Sequence, residues 1–190
     1  MPTAPAVSSD AVPTKGDRRD AAPSSTLEER RQARLDMMFG RLAKATDKRR
    51  ADRIASHILR RMTQSGSDTV DLLMDRAGRA MKEKRYGDAL DLLDGVIRLD
   101  PNFTEGWNRR ATVYFLMNNY GRSIADIEQT LKREPRHWGA LVGLAMILVT
   151  LEEKEEALKV MDRALEVHPF LEDIRERRDR YAAELAGSSI

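Results

Sequence analysis

Three histidines and one acidic run are the residues whose types could support catalysis or hold a metal ion. None of His57, His137 and His168 is followed three or four residues later by a second histidine, the spacing that places two metal ligands on one helix face. The acidic run, residues 152–156, lies where a helix is expected to begin, and the helix dipole favours carboxylates there. We therefore interpret all four features as structural and expect no metal site.

The familiar catalytic and cofactor motifs do not occur in the sequence either. The chain has no cysteine, no G-x-S-x-G, no phosphate-binding P-loop and no G-x-G-x-x-G. No serine and histidine form a recognisable nucleophile motif. We therefore expect no catalytic residue and no cofactor, and an enzyme is only the third of three functional hypotheses.

The spacing of the prolines indicates how the chain is organised. Pro101, Pro135 and Pro169 are each 34 residues apart, and the other four prolines lie within the first 25 residues. A fixed period of this size is typical of repeat proteins. The period defines three units, which are residues 70–103, 104–137 and 138–171.

Small and aromatic residues recur with the same period. Small side chains at positions 8 and 20 of each unit let two helices approach closely, because protein interiors leave few voids. A tyrosine at position 17 can fill the wedge between those helices, and the proline fits just past the second one, which it cannot continue. The residues concerned are Ala77, Ala111 and Ala145 at position 8, Ala89, Ser123 and Ala157 at position 20, and Tyr86 and Tyr120 at position 17.

In these columns the sequence resembles the tetratricopeptide repeat (TPR) family, whose pattern is W-x-x-L-G-x-x-Y followed by Y, A, F, A and P at set offsets. The middle unit matches through Trp107, Ala111, Tyr114, Tyr120 and Pro135. The resemblance covers 102 of 190 residues. It implies an all-α fold, a short right-handed TPR superhelix (an α-solenoid) of antiparallel helix pairs. The sequence departs from the pattern at Arg76 and Arg110, where leucine is usual, and at Lys154, where the turn aromatic is usual.

Further segments flank the repeats. Residues 1–25 are rich in Pro, Ala, Ser and Thr, so they bury too little apolar surface to fold, and we predict a disordered tail. Residues 26–69 hold two amphipathic patterns that keep the 34-residue phase, which predicts a basic helix pair acting as a degenerate, capping repeat. Thr26 and Glu29 are a candidate capping box at its start. Residues 172–186 carry one apolar stripe and predict a C-terminal capping helix.

Charge is distributed unevenly along the chain. Residues 1–65 hold 14 Lys/Arg and 8 Asp/Glu, a net of +6, whereas the remainder holds 19 and 23, a net of −4. One interpretation is a solvated helix surface with i,i+4 ion pairs. The other is a basic patch for an acidic partner, nucleic acid or anionic lipid. Phe39 is the only aromatic residue among the first 65, which disfavours base stacking and therefore nucleic acid.

The TPR resemblance implies a concave surface, lined by the first helix of each unit, that binds peptides or partner helices. Carried over by position, the partner-binding residues are Met74, Gly78, Met81, Asn108, Arg109, Thr112, Phe115, Val142, Gly143 and Met146. TPR proteins that grip chaperone C-termini use Lys and Asn on successive first helices. Only Arg109 could serve in that way here, so we expect no chaperone-tail adaptor.

The first helix of the third unit is unusual because no residue from Trp138 to Val149 is charged or strongly polar. One interpretation is that internal packing, including the C-terminal helix, hides this helix. The other is an apolar groove floor that a partner covers, and that partner could also be a second copy of the chain in a homodimer. Exposure of Val142 and Met146 would distinguish the two interpretations.

These patterns predict a non-catalytic scaffold or adaptor that binds a protein or peptide in the concave groove. The alternative is that the basic helix pair docks on nucleic acid or an anionic surface while the repeats are structural. No apolar run reaches the roughly 18 residues that would span a bilayer. The first ten residues do not read as a secretory signal. We expect a soluble chain, cytoplasmic if the sequence is the full length and periplasmic if a signal was removed, so the compartment stays open.

Overall fold

A computed structural model describes residues 26–187, with only the backbone at positions 27 and 28. This part of the chain consists of nine α-helices and contains no strand. Residues 1–25 lie outside it, so the disordered tail stays a prediction. The helices are α1 Leu27–Ala43, α2 Lys48–Met62, α3 Asp68–Lys82, α4 Tyr86–Leu99, α5 Thr104–Leu116, α6 Tyr120–Arg133, α7 Trp138–Thr150, α8 Lys154–Val167 and α9 Glu172–Gly187.

Each predicted unit folds as two packed helices, so that α3 pairs with α4, α5 with α6 and α7 with α8. The small residues at positions 8 and 20 are all buried, with exposures of 3% or less. In the middle unit, the Ser123 hydroxyl also donates a hydrogen bond to the Ala111 carbonyl over 2.8 Å, which ties α6 to α5. The all-α fold of stacked helix pairs is therefore confirmed.

The turn inside each pair passes through one non-glycine residue with a positive φ. These residues are Lys84 at 58°, Asn118 at 55° and Glu152 at 63°, and they occupy the same position in the three repeats. The left-handed backbone conformation suits glycine best and asparagine next, whereas a longer side chain adopts it at a cost. The turns at Lys84 and Glu152 therefore carry local strain that the packing of the two helices offsets.

The N-terminal helices α1 and α2 form a hairpin that packs across the loops joining one repeat to the next. We call these loops, residues 100–103, 134–137 and 168–171, the loop edge. Phe39 of α1 meets Trp138 in an edge-to-face contact with ring centroids 5.9 Å apart. Leu42 and Ile58 are fully buried in the same cluster, which also includes Phe170 of the loop edge.

Two ion pairs accompany this apolar contact. Arg136 donates to Asp36 over 2.8 Å, and the Lys48 ammonium lies 3.4 Å from Glu172. The 34-residue phase predicts that the hairpin caps the array as a further repeat. The hairpin instead buries its apolar stripe against the ends of the third repeat, and α2 does not form a packed pair with α3. The phase specified two helices, but it did not specify that their apolar stripe packs with Trp138 and Phe170.

The helix ends agree with the capping signals in the sequence. The Thr26 hydroxyl accepts from Glu29 N over 3.1 Å, and Thr26 N donates to the Glu29 carboxylate over 2.7 Å, so the predicted capping box is present. At the other end, α9 packs on α8 through Ile174, which is 6% exposed. This helix closes the hydrophobic core of the third repeat.

Candidate functional site

The first helices of the three repeats are α3, α5 and α7, and we call the surface that they present the groove, as the TPR resemblance predicts. Of the ten predicted partner-binding residues, Thr112 is exposed and eight are half-buried, so nine could contact a partner. Met74 is the exception. It is only 4% exposed and belongs to the core of the first repeat, because α5 approaches α3 closely at this level. Met74 therefore supports the groove without being part of its surface.

Arg109 of α5 lies across the inner face of α3. Its Nη1 donates to the Met74 carbonyl over 3.2 Å, and its Nε lies 3.4 Å from Glu105 Oε1. A side chain at Gly78 would crowd this guanidinium, because a Cβ there would stand 3.3 Å from Nη1. The arginine side chain keeps 30% of its surface exposed, so it is not sealed inside the fold.

Glu105 and His137 continue this polar line into the third repeat. Glu105 is 9% exposed and its Oε2 accepts from Asn108 Nδ2 over 3.2 Å. The same oxygen lies 3.2 Å from His137 Nε2. Because His137 Nδ1 accepts from Ala140 N over 3.1 Å, the ring proton belongs on Nε2, where it donates to Glu105. The buried histidine thus caps α7 and joins the second repeat to the third.

The other half of the groove is apolar. Phe115 of α5 packs beside Tyr120 with ring centroids 5.9 Å apart. On α7, Val142, Met146 and Val149 are half-buried, so each keeps some surface open to solvent. The groove therefore combines polar groups from Asn108, Arg109 and Thr112 with an adjoining apolar floor.

The uncharged helix α7 is explained mainly by packing, because three neighbours cover most of it. Leu141 and Ala145 face the core shared with α8, Ala140 and Ile147 face the second repeat, and Trp138 meets the hairpin. All five are buried. Val142, Met146 and Val149 are half-buried and keep some exposed surface, although Val142 and Val149 also pack against the core of the third repeat. Packing therefore explains most of this helix, and a partly exposed apolar surface remains.

Arg110, next to Arg109 in the chain, points to the opposite side of α5. Its guanidinium makes two bonds of 2.8 Å to Asp126 of α6 and one of 2.7 Å to Asp94 of α4. The hydrogen bonds with Asp126 raise the pKa of Arg110, so its charge is fixed. Trp107 lies between the guanidinium groups of Arg110 and Arg133, at 5.0 and 4.9 Å. This cluster links the outer helices of the first two repeats.

The other two histidines, His57 and His168, have surroundings that indicate a structural role. His57 is exposed on α2 and lies 2.8 Å from Arg60. His168 is buried at the loop edge, 5.5 Å from the Trp138 ring, and burial lowers its pKa.

Within residues 26–187, no group of three or more histidine, aspartate or glutamate side chains could hold a metal ion. None of the described helices is both long and apolar enough to cross a bilayer.

Comparison with known proteins identifies the repeats. A family profile described as tetratricopeptide repeat matches residues 108–171. A TPR repeat-containing protein of Rhizobium etli is 41% identical over 174 residues, which cover 88% of this chain and 85% of that protein. The chain belongs to the tetratricopeptide repeat family.

Two solved TPR domains share the fold. The first TPR of Spaghetti (RPAP3), bound to an HSP90 peptide, matches with a TM-score of 0.60 at 21% identity. The match covers 63% of this chain and 95% of the RPAP3 chain. The TPR2B domain of yeast Sti1, in its complex with pHsp70, matches with a TM-score of 0.56 at 15% identity. The match covers 64% of this chain and 99% of the Sti1 chain. At these identities the likeness concerns the fold alone.

Sequence reasoning about this TPR protein missed two groups of residues. It treated His137 only as a neighbour of a repeat-end proline, although a histidine directly before a helix start is a possible cap. It also noted Arg110 as a departure from the TPR pattern without finding its partners. Asp94 and Asp126 lie 16 residues before and after Arg110, which is a signal that the sequence does contain.

Proposed function

We propose that this TPR protein is a non-catalytic scaffold that binds a partner peptide or helix in its groove. The observation that supports the proposal is the partial exposure of Val142 and Met146 on α7 and of Phe115 on α5, together with Arg109, whose side chain is 30% exposed. Such a surface suits one or two large apolar anchors, because a few buried residues usually carry most of the binding energy.

Arg109 specifies a second property of the partner. Its hydrogen-bond partners in the described residues are one carbonyl and one carboxylate oxygen, at 3.2 and 3.4 Å, which leaves several of its five N–H donors available. A carboxylate on the partner would bind these donors well, since charge-assisted hydrogen bonds are stronger than neutral ones. We therefore expect an acidic residue, or the chain terminus, close to the apolar anchor.

A displayed library of random peptides, selected on the wild-type protein, tests this proposal. We expect the selected sequences to combine a large apolar residue with Asp, Glu or a free C-terminus. Met146→Glu should reduce their affinity by at least about tenfold, because it leaves a carboxylate unpaired against apolar surface. The matched control is Leu99→Glu, which places the same charge on an apolar residue that is 58% exposed on the outer helix α4.

The outcomes distinguish the alternatives. If Met146→Glu keeps the wild-type affinity, the peptides bind elsewhere and the groove assignment is wrong. If circular dichroism shows that the variant is unfolded, Met146 belongs to the core. If light scattering finds a wild-type dimer and a folded Met146→Glu monomer, the apolar stripe is a homodimer interface.

A second candidate function rests on α2. Its buried face is formed by Ala51, Ala55 and Ile58, and the opposite face exposes Arg49, Arg53 and Arg60 along one line. Such a row could dock on an anionic surface, as a basic patch would. Nucleic acid binding should weaken steeply with salt, whereas groove binding should depend on salt much less. Titrating a duplex oligonucleotide at about 50 and 200 mM salt separates the two functions.

A further inference from the structure

A cavity outside the groove lies between the hairpin and the loop edge. Its volume is about 350 Å³. The walls come from α1, the end of α2, residues 64 and 65, the loop before α5 and the end of α6. Small-molecule sites in proteins usually measure about 300–1,000 Å³, so this cavity is large enough for a compact organic ligand.

The lining of this cavity is positively charged. Four arginines, Arg31, Arg34, Arg61 and Arg133, face two carboxylates, those of Asp100 and Glu134. Both carboxylates already have partners. Glu134 accepts two bonds of 2.8 Å from the Arg136 guanidinium, and Asp100 accepts from Asn102 N over 3.1 Å. The four arginines outnumber the two carboxylates, and Glu134 is already paired with Arg136 outside the cavity lining, so the lining keeps a net positive charge.

Two of these arginines are available to a ligand. Arg34 and Arg61 are exposed and make no ion pair or hydrogen bond with any side chain or backbone group that the structure describes. Arg133, by contrast, is held in place. It donates to the Pro101 carbonyl over 2.9 Å and to the Gln129 carbonyl over 2.8 Å, and its guanidinium stacks on Trp107.

The floor of the cavity is apolar. Leu35 and Met38 of α1 and Met62 of α2 are half-buried, and Phe103 is 8% exposed. Methionine side chains adapt to the shape of a ligand because they are unbranched and flexible. The cavity thus offers guanidinium groups at its rim and an apolar surface below them.

We infer that this cavity binds a small amphipathic anion, an organic molecule with one carboxylate, sulfonate or phosphate group attached to an apolar ring system or short chain. The anionic group binds Arg34 and Arg61, whose planar guanidinium groups match the geometry of such oxyanions. The apolar part lies over Met38, Met62 and Phe103. The groove plays no role in this binding, so the inference stands independently of the proposed function.

Two fluorescent probes that differ in their charge test this inference on the full chain. The first is 8-anilinonaphthalene-1-sulfonate, and the second is N-phenyl-1-naphthylamine, which has nearly the same apolar body and no sulfonate. We expect saturable binding of the sulfonate. Arg34→Gln combined with Arg61→Gln should weaken its binding by about tenfold or more, because charge-assisted hydrogen bonds are lost. Binding of the neutral probe should change by less than about twofold.

The matched control is Arg41→Gln combined with Arg50→Gln, which like the test pair takes one arginine from α1 and one from α2. It removes the same charge from the same hairpin, at exposed arginines that do not line the cavity. Affinity for the sulfonate should stay within about twofold of wild type. Equal losses in the two double variants would mean that the probe responds only to the general positive field, and the inference would be wrong.

Chemical-shift mapping provides a readout that does not depend on the variants. Addition of the sulfonate should shift the amide signals of Met38, Met62 and Phe103 and leave those of Val142 and Met146 unchanged. Shifts confined to Val142 and Met146 would place the probe in the groove and overturn the inference. A failure of the wild-type protein to bind the sulfonate saturably would overturn it as well.

Discussion

The two sides of α5 differ in how fully the fold bonds the arginine that each of them carries. Arg110 faces the neighbouring outer helices and makes three bonds of 2.7–2.8 Å to two carboxylates. Arg109 faces the groove and makes only two longer bonds of 3.2 and 3.4 Å. Adjacent arginines therefore differ in how much of their bonding capacity the fold itself uses. The side that the fold leaves incompletely bonded is the side on which we propose that a partner binds.

The largest expected effect comes from removing the well-bonded arginine. Arg110→Leu restores the leucine of the TPR pattern but leaves Asp126, which is 4% exposed, without its cation. Breaking a buried ion pair from one side costs about 3–5 kcal/mol, so we expect a loss of about 3 kcal/mol in the free energy of unfolding, measured in urea. Adding Asp126→Leu should recover most of it. An unchanged midpoint for the single variant would contradict the comparison.

Overpacking tests the same two sides with apolar residues. Ala111 is 3% exposed against α6, so Ala111→Leu should cost about 1–3 kcal/mol. Thr112 is exposed to the groove, so Thr112→Leu should change the free energy of unfolding by less than about 0.5 kcal/mol. Urea denaturation of both variants makes the comparison. Equal losses would show that the two faces are assigned incorrectly.

Arg109→Gln tests the groove side directly. Its two long bonds suggest a loss of less than about 1 kcal/mol in stability. Affinity for a peptide selected on the wild-type groove should nevertheless fall about tenfold, because the charge-assisted bonds to its carboxylate are lost. Thermal unfolding and peptide titration measure the two effects. Full affinity in the variant would remove Arg109 from the site.

The loop edge adds a pH-dependent contact to these two surfaces. Burial lowers the pKa of His168, with Asp52 opposing the shift and Lys48 adding to it, so folding favours the neutral ring over the charged one. Below a pH of about 6.5 the unfolded chain binds a proton more readily than the folded chain does. Stability should therefore fall on acidification from pH 7.5 to 5.5. His168→Gln should make the melting temperature less sensitive to pH over this range, and an equal sensitivity would refute the assignment.

The smallest expected effects concern the turns at the rim of the groove. Glu152→Gly should raise the free energy of unfolding by about 0.5–1 kcal/mol, because glycine adopts a positive φ without strain. Asn118→Gly should gain no more than a few tenths of a kcal/mol, since asparagine already tolerates this conformation. Thermal melts of the two single variants distinguish these gains. A destabilised Glu152→Gly would mean that the Glu152 side chain contributes more than its backbone strain costs.

The repeats could be predicted from the sequence because the residues that mark each repeat lie within one unit. Proline, the small residues at positions 8 and 20 and the turn tyrosines each act within one unit, so a 34-residue period is enough to place them. The faces of α5 and α7 followed from the same positions. Met74 could not be excluded from the groove in this way, because its burial depends on how closely the next repeat approaches.

Contacts between distant parts of the chain could not be predicted from patterns within one unit. Glu105 and His137 are 32 residues apart, and nothing in either unit alone pairs them. Likewise, the phase of residues 26–69 specified two helices but not the surface on which they pack. The cavity between the hairpin and the loop edge exists only because of that docking, so no linear pattern could have predicted it.

The docking of the hairpin on the third repeat has a consequence for the order in which the chain folds. Solenoids usually have only near-neighbour contacts, so they can fold from any end and lose structure piecewise. Here Asp36 binds Arg136, 100 residues away, which raises the contact order and closes the array on itself. During synthesis the two helices leave the ribosome before the surface that buries Phe39 and Leu42. The apolar stripe of the nascent hairpin therefore stays without its final contact surface until translation has passed Phe170.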